Sequence, residues 1–423
     1  MNNPDAPDLA TCADDYDPQS MTVAQAQSVI FRYLKPVDGT MWVPLRTALN
    51  RFLAEDVVSP MSVPPHINSA MDGYAVRFTD LSSTGETALT VSATVLAGAP
   101  SPPPLMPGQA IRIMTGAALP ENADTVVMQE HSRREGDRVW LQPGQQSGQH
   151  VRQAGEDLHK GASALRRGQR LRAAELGLIA SLGIGEVSVF RPLRVAFFST
   201  GDELTSIGHS LTDGQIYDSN RYTLYGMLTG LGFECFDLGV VRDHPVAIEN
   251  AFEEASRMAD VVLTSGGVSV GEADFIKPLL ARMGKVVFWK IAMKPGRPLA
   301  YGHLGQCHFF GLPGNPVAVM VTFYAFVRDA LLTLAGANPL PVIPRLTVRT
   351  TTPLKKAPGR TEFQRGIVSQ NAQGEWTVRS TGNQGSGILR SMSDANCFIV
   401  LPQDCGLVAA GSEVEVQLFE GLL

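Results

Sequence analysis

The sequence contains few cysteines, five among 423 residues, and no Cys-x-x-Cys pair. An odd number of scattered cysteines does not form a disulfide framework and is typical of reduced thiols in a cytoplasmic protein. The eight histidines also lack the spacing of a zinc site. We therefore expect neither a disulfide-stabilised secreted protein nor a zinc protein. The cysteines are Cys12, Cys235, Cys307, Cys397 and Cys405.

An excess of positive charge is also lacking, since 35 Lys and Arg residues oppose 41 Asp and Glu residues, which gives a net charge of −6. Nucleic acids and anionic membranes attract basic proteins, so neither is an expected partner. The N-terminus has no basic-then-apolar signal pattern, and the longest apolar run, residues 316–327, is too short to span a bilayer. We expect a cytoplasmic protein in which any anion site is local.

The first half of the chain predicts a β-rich domain inserted into a helical one. Residues 1–20 are acidic and polar with three prolines, which indicates a disordered leader. Thr22 can cap a helix that runs to residue 34, and a second helix of similar character covers residues 173–182. Between them lie short apolar runs broken by Pro and Gly. The predicted units are a discontinuous linking domain, 21–41 plus 155–193, and an inserted β-rich domain, 42–154.

The second half predicts an α/β domain, 194–340, followed by a small C-terminal β module, 341–423. Alternating apolar and amphipathic segments indicate a mostly parallel sheet covered by helices, whose ligands bind beyond the carboxyl ends of the strands. The predicted strands are 195–199, 234–240, 261–264, 286–291 and 308–311, and the helices are 222–231, 245–258, 275–283 and 316–334. The strands of the module are 345–350, 361–368, 377–380, 397–401 and 413–418. The fold class is multidomain α/β plus β.

A glycine-rich loop lies between a buried strand and a helix of the α/β domain. The loop reads Ser265-Gly266-Gly267-Val268-Ser269-Val270-Gly271 and is followed by a helix from about residue 275. Glycines let the backbone approach a ligand, and unpaired amides at the helix start point toward it, so this pattern favours phosphate or pterin-phosphate binding. It contains neither a Walker A nor a GxGxxG fingerprint. A plain tight turn is the alternative.

Three carboxylates follow strands of the same domain, namely Glu203, Asp243 and Asp274. Mg²⁺ prefers hard oxygen ligands and is often held between carboxylates and phosphates, so their shared sheet edge suggests a magnesium site. Each carboxylate also has a simpler interpretation. Glu203 can be a surface residue, Asp243 can help to start a helix, and Asp274 can cap one.

Two lysines four residues apart, Lys290 and Lys294, suggest an anion site. On an extended segment both side chains lie on one face, and a lysine on a buried strand needs a negative partner. The turn Gly311-Leu312-Pro313-Gly314-Asn315-Pro316 lies at a strand end, where it is either a pocket wall or only a rigid turn. Asp72 precedes Gly73 in what reads by default as a turn, and Thr115 can simply close a strand.

Together these motifs resemble the molybdopterin molybdenumtransferase family, which includes bacterial MoeA and the E domains of gephyrin and its plant relatives. The resemblance extends over nearly the whole chain from about residue 22. It is carried by residues 69–77, 114–117, 155–157, 199–204, 217–220, 265–274, 294–298, 311–316 and 385–387.

The resemblance implies insertion of molybdenum from molybdate into adenylylated molybdopterin, with release of AMP and a requirement for Mg²⁺. It implies an elongated homodimer whose site lies between the α/β domain of one subunit and the β region of the other. Glu203, Asp243 and Asp274 would be the acidic catalytic or metal residues. The resemblance assigns Lys290 and Lys294 to the anions, Asp72 and Thr115 to the partner subunit's side, and Arg365 and Ser386 to molybdate. Further cofactor-binding residues would be Asp218, Asn220, Ser265, Gly266, Gly267, Ser269, Gly271, Pro313, Gly314, Asn315 and Pro316.

Two other functions remain open at this point. One is a sister enzyme that adenylates molybdopterin, although its central loop reads Thr-Thr-Gly-Gly-Thr-Gly rather than the version found here. The other is a non-catalytic scaffold, as gephyrin is at synapses, although nothing here resembles a receptor-binding linker. The implied protein partners are a second copy of the chain, the molybdopterin adenylyltransferase and proteins that mature molybdoenzymes.

Overall fold

The computed structural model describes residues 20–100, 102–267, 276–419 and 421. The predicted leader lies outside these residues except for Ser20. Three six-stranded sheets follow one another along the described chain, joined by smaller two-stranded ladders. The α-helices are Val23–Phe31, Ala173–Ser181, Asn220–Gly230, Pro245–Met258, Ile276–Met283, Pro316–Thr322, Arg328–Leu334 and Arg390–Asp394, with a π-helical turn at Phe323–Val327. Short 3-10 turns lie at Leu45–Ala48, Phe78–Asp80 and Gln129–His131.

The first helix begins where its capping sequence predicts. The Thr22 amide donates to Gln25 Oε1 at 2.9 Å, and the Gln25 amide donates to Thr22 Oγ1 at 3.2 Å, which together form a capping box. The regular helix ends at Phe31, before the predicted residue 34, because the last turn tightens into i,i+3 bonds such as Leu34 N to Phe31 O. Its buried face includes Ala26 and Ile30.

Three antiparallel ladders join the chain before the inserted sheet to the chain after it. They pair Thr40–Pro44 with Glu186–Phe190, Val57–Val58 with Ser163–Leu165, and Asn68–Ser69 with Val151–Arg152. Residues 42–58, which the pattern of short apolar runs placed in the inserted region, therefore pair with residues 163–190. Short apolar runs do not distinguish these ladders from the sheet that follows them.

The inserted sheet is antiparallel except for the pairing of Thr87–Val95 with Gln109–Ile113. Gly73 begins a strand here rather than completing a turn with Asp72. A Cβ atom at Gly73 would lie 2.0 Å from the Val127 carbonyl oxygen, so only glycine allows this close strand pairing. In spatial order the strands are Thr125–Met128, Gly73–Val76, Gln109–Ile113, Thr87–Val95, Arg138–Leu141 and Ser132–Glu135.

The sheet of the α/β region has four parallel strands and an antiparallel hairpin at one side. The hairpin contains a strand that the sequence analysis did not assign, Pro298–Leu304, because Pro298 and Gly302 are poor strand formers. The outer strand of the hairpin, Gly284–Lys290, runs in the same direction as the four parallel strands, so its carboxyl end lies at the same edge of the sheet. In spatial order the strands are Glu234–Val241, Arg194–Thr200, Val261–Ser265, Cys307–Leu312, Pro298–Leu304 and Gly284–Lys290. A small parallel ladder pairs Leu204–Thr205 with Ile216–Tyr217.

This sheet is buried on both faces, which explains its continuous apolar strands. In the strand Arg194–Thr200, Phe197 packs in a cluster with the helix Asn220–Gly230. Phe198, its neighbour, packs in a second cluster with Pro245–Met258. Because helices cover both faces, the described loops at the carboxyl ends of the strands lie next to a packed core.

One helical segment, Pro316–Leu334, is long and apolar enough to cross a membrane by length and composition, with a mean hydropathy of 1.7. It is longer than the apolar run noted in the sequence, because the helix continues past Arg328 and Asp329. The protein buries 78% of this apolar window, as it would bury a core helix. Arg328 itself is buried and donates to the Gly421 carbonyl oxygen at 3.0 Å.

The C-terminal strands close into a small barrel, because Thr361–Gln370 pairs with both Trp376–Ser380 and Cys397–Leu401. The barrel joins the α/β region by a parallel pairing of Met293–Lys294 with residues 361–362 and by a shared apolar core. All five strands lie where the sequence predicts them, within two residues at each end. Their bounds are Arg345–Thr350, Thr361–Gln370, Trp376–Ser380, Cys397–Leu401 and Glu413–Leu418.

Asp260 fixes the junction between the linking region and the α/β sheet. Arg191 donates to its two carboxylate oxygens at 2.7 and 2.8 Å, and Arg194 donates to Asp260 Oδ1 at 3.0 Å. Burial of this side chain raises its pKa, but the hydrogen bonds from Arg191 and Arg194 prevail and lower the pKa of Asp260 to about 2.

We predict that Asp260→Asn makes the free energy of unfolding depend less on pH between about pH 2 and 4. A depressed folded-state pKa contributes stability above the unfolded value, near 3.8, and this stability is lost as the pH falls toward 2. Parent and variant should therefore differ by about 2 kcal/mol at pH 6 and converge near pH 2. Denaturant unfolding between pH 2 and 7 measures the difference. Asp213→Asn, at an exposed carboxylate, is the control, and a gap between parent and Asp260→Asn that persists at pH 2 would contradict the assignment.

Candidate active site at the carboxyl edge of the α/β sheet

A buried network connects the end of one strand to the start of the next helix. Asp218 accepts hydrogen bonds from Ser199 Oγ at 3.1 Å, from the Asn220 amide at 3.1 Å and from Arg221 Nε at 2.9 Å. Arg221 also donates to Asp237 Oδ1 at 2.9 Å, on the neighbouring strand. Asp218 is almost completely buried, so these donors replace the water that its charge has lost.

Asn220 extends this network to two loops that each follow a strand of the α/β sheet. Its Nδ2 group donates to Ser265 Oγ at 2.6 Å and to the Gly314 carbonyl oxygen at 2.7 Å. One side chain therefore holds Ser265, the first residue of the glycine-rich loop, and Gly314 against the same helix N-terminus. The structure brings Asp218, Asn220, Ser265 and Gly314 together at one edge.

The first two glycines of the loop have left-handed backbone conformations, with φ of +92° at Gly266 and +67° at Gly267. A Cβ atom at Gly266 would lie 2.6 Å from the Thr200 carbonyl oxygen, so a side chain there would collide with the neighbouring strand end. The Gly266 amide donates to the Leu312 carbonyl oxygen at 3.1 Å. The predicted residues Ser269, Gly271 and Asp274 lie outside the described residues.

The buried polar atoms that have no hydrogen-bond partner among the described residues include Thr200 Oγ1 and Asn220 Oδ1, at this edge. Both belong to residues that are at most 6% exposed. A buried polar atom without a partner is costly, which favours its use by a ligand or by bound water. Thr200 was quoted only within the motif 199–204, and its role was not predicted.

Carboxylates cluster beside this network. The Asp243 amide donates to Asp202 Oδ1 at 3.3 Å, and Arg242 donates to the Asp202 carbonyl oxygen at 2.8 Å. A Cβ atom on Gly201 would meet Glu203 Oε2 at 2.6 Å, so the Glu203 carboxylate lies over the glycine turn. Desolvation raises the pKa of Asp243, and the negative charges of Asp202 and Glu203 raise it further.

A complete metal site is not visible within the part of the chain that the structure describes, where no three His, Cys, Asp or Glu side chains form a ligand group. The mutual repulsion among Asp202, Glu203 and Asp243 is nevertheless the environment that a bound cation relieves. Mg²⁺ needs only one or two protein carboxylates when substrate phosphates and water supply the rest. Glu203 and Asp243 fit that role.

The two predicted lysines do not lie on one strand, which corrects the expectation that they share a face. Lys290 ends the strand Gly284–Lys290, whereas Lys294 belongs to the short strand that joins the barrel. The chain turns between them, and the Ile291 amide donates to the Arg297 carbonyl oxygen at 2.7 Å. Lys294 Nζ lies 3.6 Å from Glu362 Oε1, and its side chain is about half exposed.

The barrel contributes Arg365 and Ser386 near the same loops. Arg365 is buried, donates to Ser391 Oγ at 3.0 Å and to the Gly385 carbonyl oxygen at 3.1 Å, and burial lowers its pKa to about 10. The Ser386 carbonyl oxygen accepts a hydrogen bond from the Val317 amide at 3.1 Å, directly after Pro316. This bond places the Ser386 loop against the residues 313–316.

Asp72 and Thr115 contact each other in the inserted sheet. Both the amide and the hydroxyl group of Thr115 donate to Asp72 Oδ1 at 2.7 Å. The backbone bond and then the hydroxyl bond from Thr115 lower the pKa of Asp72, which is exposed. Within the described chain this pair makes no hydrogen bond to the α/β region.

Sequence reasoning missed Ser199 and Arg221 as individual contributors. Arg221 lies three residues after Asp218, just before the predicted helix 222–231, and this spacing of opposite charges was the signal in the sequence. Ser199 gives no comparable signal, because a serine at the end of a buried strand has many possible roles.

The chain is similar to known proteins over nearly its whole length. It matches three family models in succession: the MoeA N-terminal region (domains I and II) over residues 21–183, a probable molybdopterin binding domain over 196–333, and the MoeA C-terminal region (domain IV) over 347–419. It is 45% identical over 404 residues to a molybdopterin molybdenumtransferase of Haemophilus influenzae, covering 95% of this chain and 100% of that protein. A relative from a Nostoc species is 36% identical over 408 residues and 93% of each chain.

A solved structure shows the same multidomain arrangement. The molybdopterin biosynthesis MoeA protein of Pyrococcus horikoshii aligns with a TM-score of 0.82 and 30% identity, over 95% of this chain and 100% of that one. The similarity therefore covers the sheet-rich domains and the barrel-like C-terminal module together. From these matches and the residues that meet at the sheet edge, the chain belongs to the molybdopterin molybdenumtransferase (MoeA) family.

Proposed function

We propose that this protein inserts molybdenum from molybdate into adenylylated molybdopterin, with release of AMP and with Mg²⁺, in the biosynthesis of the molybdenum cofactor. The observation that carries the proposal is the position of Asn220. It joins Ser265 and Gly314 at the sheet edge beside Glu203 and Asp243. The curated relatives named molybdopterin molybdenumtransferases support the same reaction. We also propose a cytoplasmic location, which the free cysteines of the described chain support.

The glycine-rich loop and its neighbours would bind the phosphate end of the substrate. The left-handed conformations of Gly266 and Gly267 let the backbone approach an anion without a side chain in between. Asn220 Oδ1 and Thr200 Oγ1 supply polar atoms that have no described partner. Ser269, Gly271, Pro313, Asn315 and Pro316 complete the proposed pterin-binding set.

Phosphoanhydride cleavage needs neutralisation of charge more than covalent catalysis. Glu203 and Asp243, with Asp274, would hold Mg²⁺, which would neutralise phosphate charge when bound. The raised pKa of Asp243 fits this role, because a nearby cation stabilises its ionised form. The carboxylates would hold the cation, and the network of Asn220 would orient the substrate.

Molybdate is a tetrahedral dianion, so cationic and hydroxyl donors that suit phosphate also suit it. Lys290 and Lys294 would bind it from the α/β domain, and Arg365 and Ser386 would bind it from the barrel. The hydrogen bond between Ser386 and the Val317 amide keeps the barrel loop next to the residues 313–316. This contact supports a site at the junction of the two domains.

We further propose the domain division 21–41 plus 155–193, 42–154, 194–340 and 341–423, with a central mostly parallel sheet and a helical linking domain. The ladders at residues 40–44 and 57–58 cross the first of these boundaries and attach the start of the inserted segment to the linking domain. In a homodimer, the inserted domain of one subunit would bring Asp72 and Thr115 to the α/β domain of the other. The contact between Asp72 and Thr115 supports their action as one unit. The adenylyltransferase that makes the substrate and proteins that mature molybdoenzymes are the proposed protein partners.

The purified protein should release AMP from adenylylated molybdopterin when molybdate and Mg²⁺ are present. AMP and molybdenum-loaded molybdopterin are measured together, because equal amounts of both distinguish transfer from simple hydrolysis. Parallel reactions contain tungstate, or contain ATP with molybdopterin that is not adenylylated. Consumption of ATP without AMP release from the adenylylated substrate would instead favour an adenylyltransferase.

We predict that Asp243→Asn raises the Mg²⁺ concentration for half-maximal activity by at least about tenfold, because the cation loses a charged oxygen ligand. Mg²⁺ titrations at saturating molybdate measure the shift. Asp213→Asn, at an exposed carboxylate outside the cluster, should leave the titration unchanged. A parent-like Mg²⁺ dependence in Asp243→Asn would remove this residue from the proposed cation site.

A subunit-mixing experiment tests the shared site. Asp72→Ala and Glu203→Ala homodimers should each be inactive, and random exchange should make about half of the dimers mixed. Each mixed dimer has one intact site if the residues come from different chains, so roughly a quarter of the parent activity should return. Two affinity tags verify exchange.

The matched control mixes Asp72→Ala with Thr115→Ala. These residues contact each other in one chain, so every site of such a mixed dimer would retain one lesion and no activity should return. Verified exchange without recovery in the Asp72→Ala and Glu203→Ala mixture would show that both residues act within one chain.

A further inference from the structure

A cavity of about 550 Å³ opens at the mouth of the C-terminal barrel. It is lined by Lys294, Lys355, Lys356, Ala357, Pro358, Arg360, Glu362 and Leu407. Only Lys294 among these residues belongs to the site proposed above. Four side chains are cationic and one is a carboxylate, so the lining carries a formal excess of three positive charges.

The cavity and Arg365 lie on opposite faces of the strand Thr361–Gln370. Glu362 and Gln364 share one face, and Gln364 Nε2 donates to Glu362 Oε2 at 3.0 Å and to the Lys355 carbonyl oxygen at 2.8 Å. Arg365 lies on the other face, where it contacts Ser391 and the Gly385 carbonyl. Because successive side chains of a strand point to opposite faces, the barrel-mouth cavity is separate from the Arg365 contacts.

Lys356 is the unusual residue of this cavity, because it is only 8% exposed. Its ammonium group donates to the Ala357 carbonyl oxygen at 2.7 Å and to the Cys405 carbonyl oxygen at 3.2 Å, which are neutral acceptors. Burial lowers its pKa, while the charge of Glu362 partly offsets that effect. A buried ammonium group has three protons to donate and is stabilised by an anion.

The one carboxylate of the cavity is already engaged. Glu362 is buried, accepts the hydrogen bond from Gln364 and lies 3.6 Å from Lys294 Nζ. Within the described chain, the side chains of Lys355 and Arg360 have no hydrogen-bond or ion-pair partner. These two cations therefore line the cavity without a protein anion to balance them.

We propose that the barrel mouth is a second anion site, which binds a tetrahedral oxyanion through Lys355, Lys356 and Arg360. Lysine and arginine donors are suited to molybdate and to phosphate, because both are compact oxyanions with several acceptor oxygens. The volume leaves space for water around a free oxyanion or for the organic part of a phosphate ester. The inference does not depend on turnover, and it adds a site to those of the proposed reaction.

Equilibrium dialysis with the full-length protein tests the site, using molybdate, inorganic phosphate and AMP in separate experiments at constant ionic strength. The variant Lys355→Ala/Arg360→Ala removes two exposed or half-exposed cations that make no described contact, so the fold should persist. For at least one of the anions, the variant should bind fewer molecules per chain than the parent at concentrations that just saturate the parent. The affinity of the lost site should fall by roughly tenfold or more.

Two controls separate a built site from a general charge effect. Lys160→Ala/Arg46→Ala removes the same charge from exposed positions elsewhere and should bind like the parent. Lys355→Arg/Arg360→Lys keeps the charge and should restore most of the binding. Thermal unfolding checks each variant, and Lys355→Gln alone serves if the double variant is unstable. The proposal is wrong if Lys355→Ala/Arg360→Ala, or Lys355→Gln in its place, binds all three anions with the stoichiometry and affinity of the parent.

Discussion

The rest of the site depends on the hydrogen bonds to the buried carboxylate of Asp218. It receives donors from a strand end, a helix start and a helical arginine, through Ser199, Asn220 and Arg221. A charge with this little exposure is stable only when such donors surround it. These bonds fix the helix N-terminus relative to the sheet. Asn220, at that N-terminus, in turn positions Ser265 and Gly314 through its hydrogen bonds.

Most elements of this fold could be predicted from the sequence, because the spacing of apolar residues and the positions of Gly and Pro agreed with the tertiary packing. The barrel strands and the helix Pro245–Met258 are examples, since their apolar residues are regularly spaced and turn-forming residues mark their ends. The strand Pro298–Leu304 was not predicted, because its place is decided by hairpin pairing that offsets the poor strand propensity of Gly302. At Gly73, close packing against a neighbouring carbonyl mattered more than the turn preference of the local sequence.

The site was predictable to the extent that it follows from sheet topology. Residues after parallel strands meet at one edge, which is why Glu203, Asp243 and Ser265 could be grouped from the sequence. Lys290 and Lys294 were grouped by a rule for extended chains, and that rule failed where the backbone turned between them. The alternation of side chains along a strand is a local property. The pairing of Lys294 with a barrel strand is a long-range contact, which residue spacing along the chain does not encode.

The pairing of Lys294 with the barrel places this lysine on a different element from the carboxylates. The carboxylates lie on loops of the α/β sheet, whereas Lys294 is attached to the barrel through its pairing with residues 361–362. The pairing and the apolar core that the two regions share fix the position of Lys294 relative to the α/β region. Among the described residues, Glu362 pairs with Lys294 through Oε1, while its Oε2 accepts the hydrogen bond from Gln364. This arrangement supports the proposal that the cations of the junction meet an oxyanion while the carboxylates meet a cation.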